Sequence, residues 1–214
     1  MTTLYGYWRS SAAYRLRIAL NLKGASYDQV SINLKTGEQR DPAWLAKQPQ
    51  GLVPLLKHGD EALVQSPAIL EWIDETWPEP ALLPGSPADR ALVRGWCSVI
   101  ACDIHPLQNL RVLKAAAAIN ESGFDGMKAW AQRWMQPGLE ALEAMVAAHP
   151  RETAFLFGDS ASMAEVYLVP QLYNARRWEV DLSQCPLLLA ADEAARALPA
   201  FEAAKPENQA DAED

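Results

Sequence analysis

The chain has 214 residues, enough for one large domain or two modest ones, and half of them are apolar. A formal net charge of −8 argues against nucleic acid or an anionic membrane as partner, and the apolar runs are far too short to span a bilayer. The N-terminus has no basic stretch leading into an apolar one, so no export signal is expected. Cys97, Cys102 and Cys185 lack ligand spacing and fit reduced cytosolic thiols rather than a disulfide frame or a metal centre.

In chain order, residues 3–7 predict a short strand that feeds a polar corner of Arg9, Ser10 and Ser11. Helical spacing of Leu16, Ala19, Leu20 and Lys23 then carries a helix to Gly24, the stop. Residues 27–34 alternate as a second strand, with Val30, Ile32 and Leu34 on one side, so the first two strands should be parallel with a right-handed crossover. A polar loop and a short helix over 42–47 follow. Pro54 begins a strand, 58–61 form a turn, and 62–64 return. Ser66 suits the N-cap and Pro67 the first position of a helix reaching Trp77.

Pro78, Pro80, Pro84 and Pro87 break all periodicity, so 81–88 is expected to link two domains. Beyond it, one helix is expected over 89–118 with a bend near Pro106, and another over 125–148 disturbed at Pro137. Ser162-Met163-Ala164-Glu165 reads as a capping box opening a helix to Arg176. A last helix over 186–204 should precede a loose acidic tail. Acidic pairs such as Asp74-Glu75 are expected in solvent. Arg15, Arg17 and Arg176 are expected in surface or interface ion pairs.

The first half has the element order of an α/β thioredoxin-like domain, spanning 1–80. Residues 89–214 read as an all-α domain. The corner where such domains carry cysteines holds Ser10-Ser11-Ala12-Ala13, so a thiol–disulfide mechanism lacks its nucleophile. That corner and the helix to Leu20 resemble the zeta-class glutathione transferases. So do Val53-Pro54, Gln65-Ser66, CDIHPLQNLRVL from Cys102 to Leu113, and LVPQLYNARRWEVDL from Leu168 to Leu182. The likeness runs end to end and in register. Ala12 stands where better-known members have cysteine, which removes any mechanism needing a protein thiol.

The resemblance implies the glutathione transferase architecture, glutathione as cofactor, a cytoplasmic homodimer and a small dicarboxylate substrate. The implied reaction is isomerisation of maleylacetoacetate to fumarylacetoacetate in tyrosine and phenylalanine catabolism. Other readings are isomerisation of maleylpyruvate, a zeta-type transferase or α-halo-acid dehalogenase, and a non-catalytic binding protein on the same scaffold. The motifs of P-loop, zincin, α/β-hydrolase and dinucleotide chemistry are absent.

A thiol of pKa about 8.5 needs roughly 2.7 kcal/mol of thiolate stabilisation to fall by about two units. A helix start contributes about 0.3–1 kcal/mol, and a hydrogen bond to the charge about 1.5–3. One hydroxyl at this helix start nearly suffices, from Ser10 or Ser11; the other reading of either is a plain cap. The resemblance also implies that the Val53 backbone, at a cis-proline corner, pairs with the cysteinyl part of glutathione. Gln65 and Ser66 would hold the γ-glutamyl end and Gln39 the glycine end, with His105 and Asn109 as further contacts. Arg9 and Arg177 are the expected carboxylate clamps, joined by Arg111, since the guanidinium fork matches a carboxylate. Arg9 would also steady charge developing beside the thiolate.

Overall fold

A computed structural model describes residues 1–83, 85–119, 121–149 and 152–213, so Pro84 of the expected linker lies outside the described residues. The chain forms two compact units, one of residues 1–82 with 197–214, the other of residues 83–196.

The first unit opens with β1 (Thr2–Gly6), α1 (Ser11–Leu22) and β2 (Asp28–Ser31). It continues through α2 (Pro42–Leu45), β3 (Leu55–His58), β4 (Glu61–Val64) and α3 (Ser66–Thr76). The sheet order is β2-β1-β3-β4, with β1 parallel to β2 and the other pairs antiparallel. This is the thioredoxin-like arrangement. Leu4, Leu55 and Leu56 of the sheet, Leu16 and Leu20 of α1, and Ile69 and Ile73 of α3 make its core. A side chain at Gly6 would bring its Cβ to 3.0 Å from Ala13 Cβ, so small residues at both positions let α1 lie close to β1. The expected apolar stripe through Val30 does not go inward. β2 is an edge strand, it stops at Ser31, and all four of its residues are exposed.

The second unit is helical: α4 (Pro87–Ser98), α5 (Leu110–Ile119), α6 (Gly123–Ala147), α7 (Met163–Arg177) and α8 (Pro186–Arg196). The single helix expected over 89–118 is two helices. Between them Val99–Ile104 form a wider π-type turn, in which His105 N–H donates to Ile100 O at 2.8 Å, five residues back. Pro137 leaves α6 unbroken over 25 residues. At Gly138 a Cβ would meet Ile104 Cγ1 at 2.5 Å, so glycine admits that turn against α6.

The expected helix over 186–204 also breaks. Leu198 is extended, and α9 (Pro199–Ala204) starts anew. Residues 197–214 therefore leave the helical half in which the sequence placed them. Phe201 and Ala204 are buried, α9 packs on α1, and Asn21 Nδ2 donates to Ala200 O at 2.9 Å. The tail is not loose either: Gln209 is buried, and its Nε2 donates to Ala203 O and Lys205 O.

Two electrostatic expectations change as well. Asp74 is buried and accepts from Lys23 Nζ at 2.6 Å and from Leu82 N–H at 2.8 Å. Arg15 and Arg17 are each only 1 % exposed, because α1 is enclosed by the sheet, α3 and α9. Arg176 does form its ion pair, with Asp192 at 2.6 Å.

In the helical unit the capping box is complete. Glu165 Oε2 accepts from Ser162 N–H at 2.7 Å and Oε1 from Leu156 N–H at 2.7 Å, while Ser162 Oγ accepts from Ala164 N–H at 3.1 Å. Glu165 is fully buried, and that burial pushes its carboxyl above the ordinary range even though these donors favour the charged form. Glu165→Ala would leave two buried N–H donors without an acceptor. The expected loss is about 2–4 kcal/mol of unfolding free energy, measured by chemical denaturation.

Candidate active site

Strand register gathers the first unit's candidates at one end of the sheet. Tyr5 of β1 pairs with Leu55 of β3, and Leu55 pairs with Val64 of β4. The chain leaving β1 enters Arg9-Ser10-Ser11, the chain entering β3 is Val53-Pro54, and the chain leaving β4 is Gln65-Ser66.

At the corner, Ser10 is the N-cap of α1, and its Oγ accepts from Ala13 N–H at 3.2 Å. Ser11 is the first helical residue and is 7 % exposed, whereas Ser10 is only half-buried. The Ser10 oxygen is thus engaged as an acceptor while its own proton remains available to an outside anion. The first turn of α1 adds N–H groups and the positive end of the helix dipole. Arg9 is half-buried, with its guanidinium carbon 4.6 Å from the Trp8 ring centroid. Trp8 is itself held at both peptide groups: its carbonyl accepts from Arg17 Nη2 at 2.9 Å, and its N–H donates to Asp211 Oδ2 at 3.1 Å.

The Val53-Pro54 bond is cis. Ser66 is not the cap of α3 but its first residue. Gln65 takes the cap with φ 70°, a backbone state costly for a non-glycine residue, and its Nε2 donates to Gln50 Oε1 at 2.7 Å. Buried Arg15 reaches Ser66, with Nη1 donating to Oγ at 3.4 Å, so a cation stands behind this second helix start. Gln39 Oε1 is buried without a hydrogen-bond partner. Sequence reasoning missed Arg15, Arg17 and Asp211 here, because nothing local marks a helical arginine or a tail aspartate as buried or bonded.

The helical unit presents its own set. Asn109 Oδ1 accepts from Arg111 N–H at 3.2 Å, so Asn109 caps the start of α5, and the Arg111 side chain is exposed. Gln108 is buried, and its Nε2 lies 3.4 Å from His105 Nδ1 and 3.4 Å from Gln171 Oε1. Asn174 Nδ2 donates to Gln108 Oε1, and Asn174 Oδ1 accepts from Arg177 Nη1 at 3.3 Å. The Arg177 guanidinium carbon also lies 4.9 Å from the Trp178 ring centroid. His105 and Arg177, far apart in sequence, thus belong to one polar chain. Gln108, Gln171 and Asn174 were missed, although polar Gln171 and Asn174 within the mostly apolar α7 are a signal that could have found those two.

The protein's own thiols lie elsewhere. Cys97 and Cys185 are buried and Cys102 is exposed. Burial, aided by Glu143, Glu140 and Asp181, pushes the Cys185 thiol up to about 11.

Residues 1–75 match the glutathione S-transferase N-terminal domain family. The chain is 47% identical to a maleylacetoacetate isomerase of Rhizobium meliloti (strain 1021), over 96% of both chains. Its fold superposes with a TM-score of 0.96 on a holo maleylpyruvate isomerase described as a zeta-class bacterial glutathione transferase, at 42% identity over 99% of this chain and 100% of that one. A maleylacetoacetate isomerase of Anaeromyxobacter dehalogenans 2CP-1, solved with dicarboxyethyl glutathione and citrate in its active site, gives a TM-score of 0.87 at 40% identity, covering 100% of this chain and 98% of that one.

Arg17 joins the corner to α9, since its Nε donates to Ala204 O at 2.9 Å while Nη2 holds Trp8 O. Arg17→Met would leave both carbonyls without these donors. It should cost about 1–3 kcal/mol of stability, read from the urea midpoint at constant slope.

Proposed function

The chain belongs to the zeta class of glutathione transferases, and from that membership we propose that it is a glutathione-dependent cis–trans isomerase. The substrate proposed is maleylacetoacetate, converted to fumarylacetoacetate in tyrosine and phenylalanine catabolism, in the cytoplasm and as a homodimer. The observation that carries the reading is the start of α1, where the Ser10 hydroxyl and Arg9 are adjacent and Ala12 leaves no protein thiol.

The residues present fit glutathione. Gln39 keeps a buried amide oxygen without a hydrogen-bond partner, Val53 lies in the chain entering β3 at the sheet end, and Ser66 opens a helix backed by Arg15. When bound, glutathione supplies a thiolate that can add to the cis double bond and leave after rotation, so the tripeptide is regenerated. Ser10 donates its hydroxyl proton to that anion, because its oxygen already accepts from Ala13 N–H. Ser11, more deeply buried, has the lesser part. Val53, Gln39, Gln65 and Ser66 bind the tripeptide in the first unit, and His105 and Asn109 are its proposed contacts from the helical unit. Arg9 holds a substrate carboxylate through its fork and steadies the charge that develops during addition. Arg177 and Arg111 are the proposed carboxylate ligands of the helical unit.

A second reading, maleylpyruvate as substrate, is favoured by the maleylpyruvate isomerase on which the fold superposes with a TM-score of 0.96. Purified protein assayed on both acids should isomerise at least one with no net loss of glutathione. Consumption of glutathione without isomerisation would replace the reading by transferase or dehalogenase chemistry. Ser10→Ala should raise the pKa of the bound thiol by about 1–2 units and lower turnover at neutral pH, whereas Ser11→Ala should move it by less than about half a unit. Thiolate absorbance followed against pH measures both.

A further inference from the structure

The C-terminal tail lies along the sheet edge in regular step. Gln29 Nε2 donates to Gln209 Oε1 at 3.0 Å, Ser31 Oγ to Asp211 Oδ2 at 2.7 Å, and Asn33 Nδ2 to Glu213 Oε1 at 3.3 Å. The offset is 180 residues each time, so every second residue of the tail meets every second residue of the edge. The tail runs parallel to β2 and its continuation as an added strand would, but through side chains. Lys35 closes the series on Glu213. This bond, together with the charge of Lys35, the Asn33 amide and Arg9, holds the Glu213 carboxyl below its ordinary value.

Covering an exposed edge is reason enough for a strap. Asp211 does something more. The same Oδ2 that accepts from Ser31 also accepts from Trp8 N–H at 3.1 Å, and Trp8 precedes Arg9. On its other side the Trp8 carbonyl is held by Arg17, which is anchored on Ala204 O. Residues 197–214 thus fix both peptide groups of Trp8, one directly and one through Arg17. The Arg9 guanidinium in turn lies beside the Trp8 ring. An N–H bonded to a carboxylate is stronger than one bonded to a neutral acceptor, so the direct tie is the more effective one.

We propose that Asp211 is a positioning residue for Arg9, setting through the Trp8 peptide the direction in which Arg9 meets a carboxylate of the substrate. This rests on the reading of Arg9 as a carboxylate ligand. A strap that only covers the edge would need its Ser31 bond as much as its Trp8 bond. A positioning strap needs the Trp8 bond. Ser31→Ala removes the first and keeps the second, Asp211→Ala removes both, and Asp211→Asn keeps an oxygen able to accept from Trp8 N–H.

Malonate serves as a dicarboxylate probe that needs no turnover, titrated calorimetrically into the full-length protein saturated with glutathione. Asp211→Ala should weaken malonate binding about tenfold, the equivalent of one lost hydrogen bond. Glutathione affinity should stay within about twofold, and Trp8 amide exchange, followed by NMR, should quicken. Asp211→Asn should recover most of the affinity, and Ser31→Ala should match the wild type. Equal losses in Asp211→Ala and Ser31→Ala, an unchanged malonate affinity in Asp211→Ala, or no malonate binding by the wild type would each overturn the proposal. Failure of the wild type to isomerise either maleyl acid bears on the proposed function alone, because the titration does not depend on it.

Discussion

A thiolate persists at neutral pH only where its surroundings favour the charge over the neutral thiol by a few kcal/mol, and the corner before α1 offers donors of that kind in the Ser10 hydroxyl and the first-turn N–H groups. The chain must turn from β1 into a helix within four residues, Tyr7 to Ser10. It does so with Ser10 as cap, whose Oγ accepts from Ala13 N–H. Small side chains are part of the same constraint. Gly6 and Ala13 let α1 come close to β1, and Ala12 keeps the corner free of a competing thiol.

Holding such a corner in an acidic protein takes buried cations, which are costly unless their donors are used. Arg17 uses its fork on two carbonyls, Trp8 O and Ala204 O, and so ties the corner to the C-terminal segment. Arg15 does the corresponding service at the second helix start, where it meets Ser66. Neither is a surface ion pair. Both turn a group that binds anions elsewhere into a brace behind a helix start.

The helical unit solves a different problem, holding a long, mobile arginine in one direction. Arg177 rests on Trp178 and donates to Asn174, and Asn174 is held by Gln108, which lies in the bend after the π-type turn. A buried amide network is directive where its members are paired, and here Gln171 Nε2 stays buried without a hydrogen-bond partner. The bend itself is secured by Trp130 Nε1, which donates to Leu107 O at 2.9 Å. Pro106 thus does more than end a helix, since the chain after it carries the amide that steadies Arg177 through Asn174.

Local patterning carried much of this molecule. Strand alternation, the Gly24 stop, Pro67 and the Ser162–Glu165 box are short-range signals, because caps and periodicity depend on residues three or four apart. They were enough to read the thioredoxin-like half, the helical half and the polar corner between β1 and α1, and the end-to-end resemblance supplied the chemistry. What they could not carry was any partnership across long separations. Val30 sits in an apolar alternation yet lies exposed, because a strand's place at the sheet edge is a property of the whole sheet. Arg17 looks like any helical arginine until α9 returns to cover it, and the acidic tail looks unstructured until Asp211 meets the Trp8 amide 203 residues away. The sequence by itself determined most of the elements and the polar corner Arg9-Ser10-Ser11 at the start of α1. Only the tertiary structure decided which buried and remote groups hold those residues in place, since a hydrogen bond between distant segments exists only once the chain has brought them together.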